Sequence, residues 1–179
     1  MKRDYITTYT NRRFWLPGAE IESMSIYDIA RALSHACRFA GHTEYFYSVA
    51  QHCINVSLLL PPEYRLEGLM HDGGEAYLSD IATPFKRMLR DYEHLEDDIW
   101  QCMSKKYGLP TEMSDAVKWA DRVMLMTERD ILKPNSPSWA PEYESVQRAD
   151  HTQLILGERP FREIEKLFIE KFFEYGGGE

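Results

Sequence analysis

The sequence has 179 residues, a formal net charge of −8 and a hydrophobic fraction of 44%. The hydrophobic fraction is high enough to form one buried core, which excludes a disordered chain. The negative net charge argues against a long nucleic-acid-binding surface, because such a surface needs clustered Lys and Arg. A small anionic ligand held by a metal and local cations is compatible with them. No apolar run approaches the roughly 20 residues of a membrane span, and residues 1–5 carry no apolar signal-peptide core. We therefore expect a single cytoplasmic domain over residues 1–179 that binds neither membrane nor nucleic acid.

The first two dozen residues differ from the rest of the chain. Residues 5–10 (YITTYT) are rich in β-prone side chains, Asn11 is suited to a turn, and residues 13–16 (RFWL) are again β-prone. This pattern predicts a short β-hairpin within an N-terminal arm over residues 1–24.

Helical periodicity dominates the remainder of the chain. Ser25 is placed to cap a first helix, and further helices are predicted over residues 47–60, 62–77, 91–107, 110–132 and 159–175. The proline-rich residues 133–141 predict a surface loop, and the glycine-rich residues 176–179 predict a frayed tail. The sequence thus predicts an all-α fold, a helical bundle with a short N-terminal β-hairpin.

Four potential metal ligands lie on three of the predicted helices: His52, His71, Asp72 and Asp121. The first two of these helices can lie antiparallel about a Pro-Pro break, and bundle folds build metal sites from facing helices in this way. His71 and Asp72 point about 100° apart on a regular helix, so they share one ion only if the helix end is distorted or the ion lies between them. Taken singly, His52 is explained as a core histidine and Asp121 as a helix cap or an arginine partner. The combination predicts a metal site.

The ligand types narrow the metal and its chemistry. Without a thiolate a structural zinc site is disfavoured, whereas two His with two Asp suit Zn²⁺, Co²⁺ or Mn²⁺, with Fe²⁺ and Ni²⁺ as alternatives. Such an ion would acidify a water molecule and hold a phosphoryl oxygen. Glu75 falls on the same helix face as His71 and is a candidate catalytic proton carrier. Asp80 follows in the turn, where it could orient the water or bind a second metal such as Mg²⁺.

Six stretches together resemble a known family: DIARALS (28–34), CRFAGH (37–42), YSVAQH (47–52), HDGGEAY (71–77), DIATPFK (80–86) and KWAD (118–121). In type and order they are similar to the motifs of the HD-domain phosphohydrolase superfamily. The likeness is greater to the branch of small 5′-deoxynucleotidases and phage dATP triphosphohydrolases. This resemblance implies an HD-domain helical bundle with the four ligands named above, with Glu75 as the catalytic acidic residue and Asp80 nearby.

The resemblance also implies a substrate site with two kinds of residue: Arg38 and Lys86 for the phosphate, and Phe39 and Pro84 for the base or sugar. Phe39 stands where a tryptophan can follow the arginine in the family, which leaves base preference open. His42, close to Arg38 in sequence, is a further candidate for contact with the phosphate or the leaving group, or else a loop histidine that packs on its neighbours. Without the resemblance, Arg38 is explained as an ion-pair partner, Lys86 as a solvated lysine and Phe39 as a core residue.

These features predict a metal-dependent deoxynucleotide phosphohydrolase. The first candidate reaction cleaves a dNTP, and dATP in particular, to deoxynucleoside and triphosphate. The alternatives are a 5′-deoxynucleotidase that releases phosphate from dNMPs and a non-catalytic nucleotide-binding HD module. By the same resemblance we expect a homo-oligomer, a dimer or a hexamer, in the cytoplasm of a bacterium or of a phage-infected host cell.

Overall fold

The N-terminal hairpin is present in the computed structural model, which describes residues 4–179 apart from the side chain of Thr83. Strand β1 (Asp4–Thr7) pairs antiparallel with β2 (Arg13–Leu16). Between them Asn11 adopts a positive φ of 63°, a conformation that Asn tolerates in tight turns. The prediction of an all-α fold with a short hairpin is confirmed. Residues 1–3 of the predicted arm lie outside the described residues.

Helices make up most of the remaining fold. Their bounds are α1 (Ile26–His35), α2 (Val49–Leu58), α3 (Arg65–Met70), α4 (Glu75–Leu78), α5 (Thr83–Lys86), α6 (Tyr92–Tyr107), α7 (Asp115–Leu132), α8 (Pro141–Glu144) and α9 (Phe161–Glu174). Within residues 4–179, every helix is too short or too polar to span a bilayer.

Serine side chains start three of the longer helices. Ser25 caps α1, Ser48 forms a capping box with Gln51 at the start of α2, and Ser114 caps α7. Gly108 ends α6 in the left-handed conformation, with φ of 68°. The caps of α2 and α7 lie inside the predicted ranges, so both helices are shorter than predicted.

The prediction of one continuous helix over residues 62–77 is wrong, because the segment contains two separate helices. After a short 3₁₀ turn, α3 ends at Met70 and α4 begins at Glu75, with a tight turn between them. Gly73 in that turn has no room for a side chain, because a Cβ would lie 2.9 Å from the Met70 carbonyl oxygen and 2.3 Å from Met103 Cε on α6. The break distorts the helix end at His71 and Asp72, which is one of the two conditions under which these residues can share one ion.

Several contacts fix the hairpin to the helical core. The core lies where α1 and α2 pack against α9, and where α2 packs against α3 and α7. Phe14 of β2 is fully buried and stacks on Tyr77, with ring centroids 3.8 Å apart. Asp28 of α1 accepts hydrogen bonds from N and Oγ1 of Thr10, both at 2.7 Å. An aromatic stack and a buried carboxylate therefore hold the arm in place.

The irregular segment before α9 is longer than predicted. It runs from the end of α7 to the start of α9, past the predicted loop over residues 133–141. Within the described residues, α8 and one 3₁₀ turn are its only helical parts. Glu144 of α8 accepts hydrogen bonds from Arg129 Nη2 at 3.1 Å and from Trp139 N at 2.7 Å. These bonds hold the segment against α7.

The glycine-rich tail is ordered by contacts and is not frayed as predicted. Gly176 turns the chain after α9 with φ of 92°. The Glu179 carboxylate then accepts a hydrogen bond from Ile26 N at 3.1 Å and lies 3.5 Å from Arg12 Nη2. The tail satisfies a backbone donor at the start of α1, which composition alone does not reveal.

Candidate metal centre

Two imidazoles from neighbouring helices face each other in the interior. His52 lies one turn into α2, after the Ser48 cap, and His71 directly follows α3. Their side chains are 0% and 2% exposed, and their Nε2 atoms lie 3.3 Å apart. The packing of α2 on α3 thus produces the approach that the sequence predicts for these histidines.

Two carboxylates complete the cluster. Asp72 places Oδ2 3.3 Å from His71 Nε2 and 3.7 Å from His52 Nε2. Asp121, on α7, places Oδ1 3.1 Å from His52 Nε2 and 3.9 Å from His71 Nε2. All four predicted ligands are therefore brought together from α2, the turn after α3, and α7.

The spacing of the ligand atoms of His52, His71 and Asp72 fits a divalent cation. Bonds of about 2.0–2.2 Å, with about 90–110° between them, place neighbouring ligand atoms about 3–3.6 Å apart. The distances from 3.1 to 3.9 Å lie within this range or slightly beyond it. The buried group of His52, His71 and Asp72 could hold a metal ion, and Asp121 adjoins it.

The outer nitrogen of each imidazole is fixed by an acceptor. His71 Nδ1 lies 2.8 Å from the carbonyl oxygen of Gly68, which can only accept, so this Nδ1 carries the proton. His52 Nδ1 lies 2.9 Å from Oε1 of Glu128. A protonated Nδ1 leaves the Nε2 lone pair of a neutral ring directed into the cluster, the form in which imidazole binds metal.

Mutual attraction shifts the pKa values of these groups. Burial lowers the pKa of His52, but the carboxylates of Glu128 and Asp121 outweigh burial and raise it. Burial also lowers the pKa of His71, and the Asp72 carboxylate raises it well above its ordinary value. The imidazoles in turn hold the pKa values of Asp72 and Asp121 down despite burial. The carboxylates therefore favour positive charge at this point. A divalent cation would take the place of the protons on the two Nε2 atoms.

Glu75, at the start of α4, is buried beside the cluster. Its Oε1 accepts a hydrogen bond from Lys86 Nζ at 3.4 Å, whereas its buried Oε2 has no hydrogen-bond partner among residues 4–179. Burial, followed by the carboxylates of Asp72 and Asp80, raises the pKa of Glu75 well above its ordinary value. A carboxyl group that keeps its proton to higher pH can donate it to a leaving group, the role predicted for this residue.

Lys86 is held between two carboxylates. Its Nζ lies 2.8 Å from Glu96 Oε1 and 3.4 Å from Glu75 Oε1. In this position it fixes Glu75, and contact with a phosphate would compete with both ion pairs. Asp80 lies nearby and is partly buried, which raises the pKa of its carboxyl group.

Arg38 reaches the cluster because an isolated β-bridge pairs Cys37 with Ser48. The bridge sets the Arg38 backbone beside the start of α2. The guanidinium places Nη2 3.3 Å from Glu128 Oε2 and Nη1 3.8 Å from Asp72 Oδ2, and the side chain is 11% exposed. Burial lowers the pKa of Arg38, but the surrounding carboxylates outweigh it and raise the pKa above its ordinary value. A permanent cation therefore lies against a candidate metal ligand.

The other predicted substrate residues lie further out. Phe39 is partly exposed, and Lys133 Nζ lies 5.6 Å from its ring centroid. Phe39 and Ala40 adopt positive φ values of 54° and 51°, a costly conformation that is concentrated at functional sites. His42 and Pro84 are exposed, and within the described part of the chain no hydrogen bond or ion pair joins their side chains to the cluster.

A cleft of about 760 Å³ opens beside the cluster, a volume typical of small-molecule sites. His71 and Asp72 of the cluster line it, together with Trp100 of α6 and Met113. The cleft also carries charged side chains of both signs: Glu75, Glu96, Asp97, Glu112 and Lys118. The cluster is thus open to a ligand from one side.

The sequence interpretation missed Glu128. This residue is fully buried on α7 and contacts both His52 and Arg38. A signal was available, because 128 − 121 = 7 residues separate it from Asp121, which is two helical turns on one face. A carboxylate on the buried face of an apolar helix calls for a buried partner.

Comparison with known proteins identifies close relatives. No protein-family model matches the chain. The chain is 43% identical over 151 residues to the uncharacterized protein YfdR of Escherichia coli (strain K12), a match that covers 84% of this chain and 85% of YfdR. It is 31% identical over 146 residues to the uncharacterized protein RCAP_rcc00048 of Rhodobacter capsulatus, covering 74% of each.

Proposed function

This chain belongs to the family that includes YfdR of Escherichia coli, and we propose that it is a divalent-metal-dependent phosphohydrolase acting on deoxynucleotides. The observation that carries the proposal is the convergence of His52, His71 and Asp72 on one point beside a buried oxygen of Glu75 that has no hydrogen-bond partner in the described part of the chain. The resemblance to HD-domain phosphohydrolases also supports it, since the motif stretches that carry the resemblance contain these same residues.

The donor set suits a cation of intermediate hardness. Two imidazoles and two carboxylates favour Zn²⁺, Co²⁺ or Mn²⁺, and Asp80 is the candidate for a second site that takes Mg²⁺. When bound, such an ion supplies a Lewis acid for a phosphoryl oxygen and lowers the pKa of a water molecule.

The bond to be broken is the ester bond between phosphorus and the 5′ oxygen of the deoxynucleoside. Attack of water on phosphorus displaces this oxygen, which must gain a proton. Glu75 is the proton donor, because its pKa is raised and its Oε2 has no hydrogen-bond partner among the side chains that the structure describes. Lys86 holds the other oxygen of the same carboxyl group and so fixes the direction in which the proton is delivered.

Arg38 supplies fixed positive charge beside the reacting phosphorus. Its guanidinium lies 3.8 Å from Asp72, so a phosphoryl oxygen near that ligand would also lie near Arg38. Planar guanidinium groups bind phosphate oxygens in a fork. Charge that develops on the phosphoryl oxygens would be stabilised from this side.

The first candidate substrate is a dNTP, and dATP in particular, by resemblance to phage dATP triphosphohydrolases. The second candidate is a dNMP, and one observation favours it. Arg38 and Lys86 each already contact two carboxylates, so little positive charge is left to balance a triphosphate. The same ester bond breaks in both reactions, and the same residues would serve either substrate.

Product analysis tests this proposal. Protein loaded with Co²⁺ or Mn²⁺ is incubated with each common dNTP and dNMP, and the products are separated by ion-exchange chromatography. Triphosphate from a dNTP supports the first candidate, and orthophosphate from a dNMP supports the second. Nucleotide binding without any product would favour a non-catalytic module. Absence of both binding and product would remove the proposed function.

A further inference from the structure

Glu128 is a buried carboxylate that joins three functional groups. Its Oε1 accepts hydrogen bonds from His52 Nδ1 and from the Tyr47 hydroxyl, both at 2.9 Å. Its Oε2 accepts a hydrogen bond from Arg38 Nη2 at 3.3 Å. Tyr47 in turn accepts a hydrogen bond from Asn55 Nδ2 at 2.7 Å, so the tyrosine proton is directed at Glu128. His52, Tyr47 and Arg38 therefore all donate hydrogen bonds to this carboxylate.

These contacts explain how a fully buried charge is tolerated on α7. An unpaired carboxylate in an apolar interior is strongly disfavoured. The fully buried Glu128 carboxylate contacts a candidate metal ligand and a candidate phosphate-binding residue at once, and it accepts a further hydrogen bond from the Tyr47 hydroxyl.

We propose that Glu128 is a positioning residue that holds His52 and Arg38 in the arrangement needed for metal and substrate binding. This inference rests on the proposed function in that a divalent cation binds at the His52 cluster. By accepting from Nδ1, Glu128 sets the ring orientation and directs Nε2 at the cation. Metal-binding histidines in general depend on an acceptor of this kind.

Glu128 also shares the Arg38 guanidinium with Asp72, a candidate metal ligand. The guanidinium lies between Glu128 at 3.3 Å and Asp72 at 3.8 Å. Without the charge on Glu128, Asp72 is the remaining carboxylate in contact with Arg38 within the described residues. The guanidinium would then compete with the cation for Asp72. Loss of Glu128 therefore weakens metal binding through both His52 and Asp72.

The test measures metal affinity and the ligand field on the full chain. Glu128→Gln keeps the side-chain shape and removes the charge. We expect Co²⁺ to bind about 10–100-fold more weakly than to the wild type by calorimetry, with a changed visible absorption spectrum of the bound Co²⁺. The control is Glu67→Gln, which alters another buried glutamate, one that accepts from Ser114 N at 2.6 Å. The control should lower thermal stability and leave Co²⁺ affinity and spectrum unchanged.

The outcomes separate this inference from the proposed function. Wild-type affinity and spectrum in Glu128→Gln would overturn the role of Glu128 and leave the proposed function intact. Failure of the wild type to bind any divalent cation would overturn the metal-dependent function, and the inference with it. If Glu128→Gln does not fold, Glu128→Asp and Tyr47→Phe replace it. The aspartate keeps the charge but is too short to contact both His52 and Arg38, so unchanged Co²⁺ affinity and spectrum in both variants would contradict the proposal.

Discussion

Oδ1 of Asp121 lies 3.1 Å from Nε2 of His52, and this contact joins α7 to α2 at the centre of the cluster. The two residues are far apart in sequence, so the cluster exists only in the folded chain. A cation that binds there binds the native state and not the unfolded one. Metal binding and folding stability are therefore linked.

Removal of Asp121 should abolish that linkage. At about 100 times its Kd, a divalent cation stabilises a native state by about 2.7 kcal/mol, so we expect Co²⁺ to raise the Tm of the wild type and EDTA to reverse the rise. Asp121→Ala should show little or no rise, whereas Asp115→Ala, which alters a fully exposed carboxylate on the same helix, should behave as the wild type. Equal Co²⁺ stabilisation of Asp121→Ala and the wild type would exclude Asp121 as a ligand.

Replacement of Glu75 should separate catalysis from metal binding. Glu75→Gln removes the proton and keeps the side-chain shape, so we expect kcat to fall by about 10²–10⁴-fold while Co²⁺ affinity stays within a small factor of the wild type. The control is Glu93→Gln, on the exposed face of α6. Steady-state kinetics on the best substrate provide the measurement, and an unchanged kcat in Glu75→Gln would rule out its role as proton donor.

Gly73 should be essential to the turn that carries the ligands. Gly73→Ala introduces a Cβ 2.9 Å from the Met70 carbonyl oxygen, and overpacking of this kind costs about 1–3 kcal/mol. At neighbouring Gly74 the nearest atom, Ile99 Cγ2, would lie 3.4 Å from an added Cβ, so Gly74→Ala should be nearly neutral. Urea unfolding measures both variants, and equal free energies of unfolding would show that the turn adapts.

Much of the site could be predicted from the sequence, because its ligands are chemically conspicuous. His52, His71, Asp72 and Asp121 stand on predicted helices, and helix packing brings them together. The spacing could not show that the helix carrying His71 breaks, since apolar periodicity runs through the break. A side chain at Gly73 would meet the Met70 carbonyl oxygen and Met103 of α6, and both contacts arise only once the turn has folded.

The sequence indicates the metal ligands more clearly than the residues that contact them. The sequence places Glu128 on the same helix face as Asp121, but only the fold shows that it is buried against His52. Lys86 looks like a free phosphate-binding cation, but its ammonium contacts Glu75 and Glu96. Such pairings depend on the relative positions of helices remote in sequence, which composition and periodicity do not determine. For the same reason, the sequence does not show that Thr10 of the N-terminal arm contacts Asp28.

Acid should weaken the attachment of α8 to α7. Hydrogen bonds from Arg129, followed by the one from Trp139 N, lower the pKa of Glu144 from 4.5 to about 2. A carboxylate with a depressed folded-state pKa contributes stability that is complete above its unfolded pKa and lost as the pH falls through the folded one. We therefore expect the Tm advantage of the wild type over Glu144→Gln to be constant above about pH 5 and to shrink towards about pH 2. A difference in Tm that does not vary with pH would contradict this assignment.

Anomalous diffraction from crystals grown with Co²⁺ would test the central claim most directly. The account predicts one strong peak about 2.0–2.2 Å from Nε2 of His52 and of His71, with carboxylate oxygens of Asp72 and Asp121 completing the coordination. A map with no peak at this cluster, from protein shown to be folded and exposed to excess Co²⁺, would contradict it.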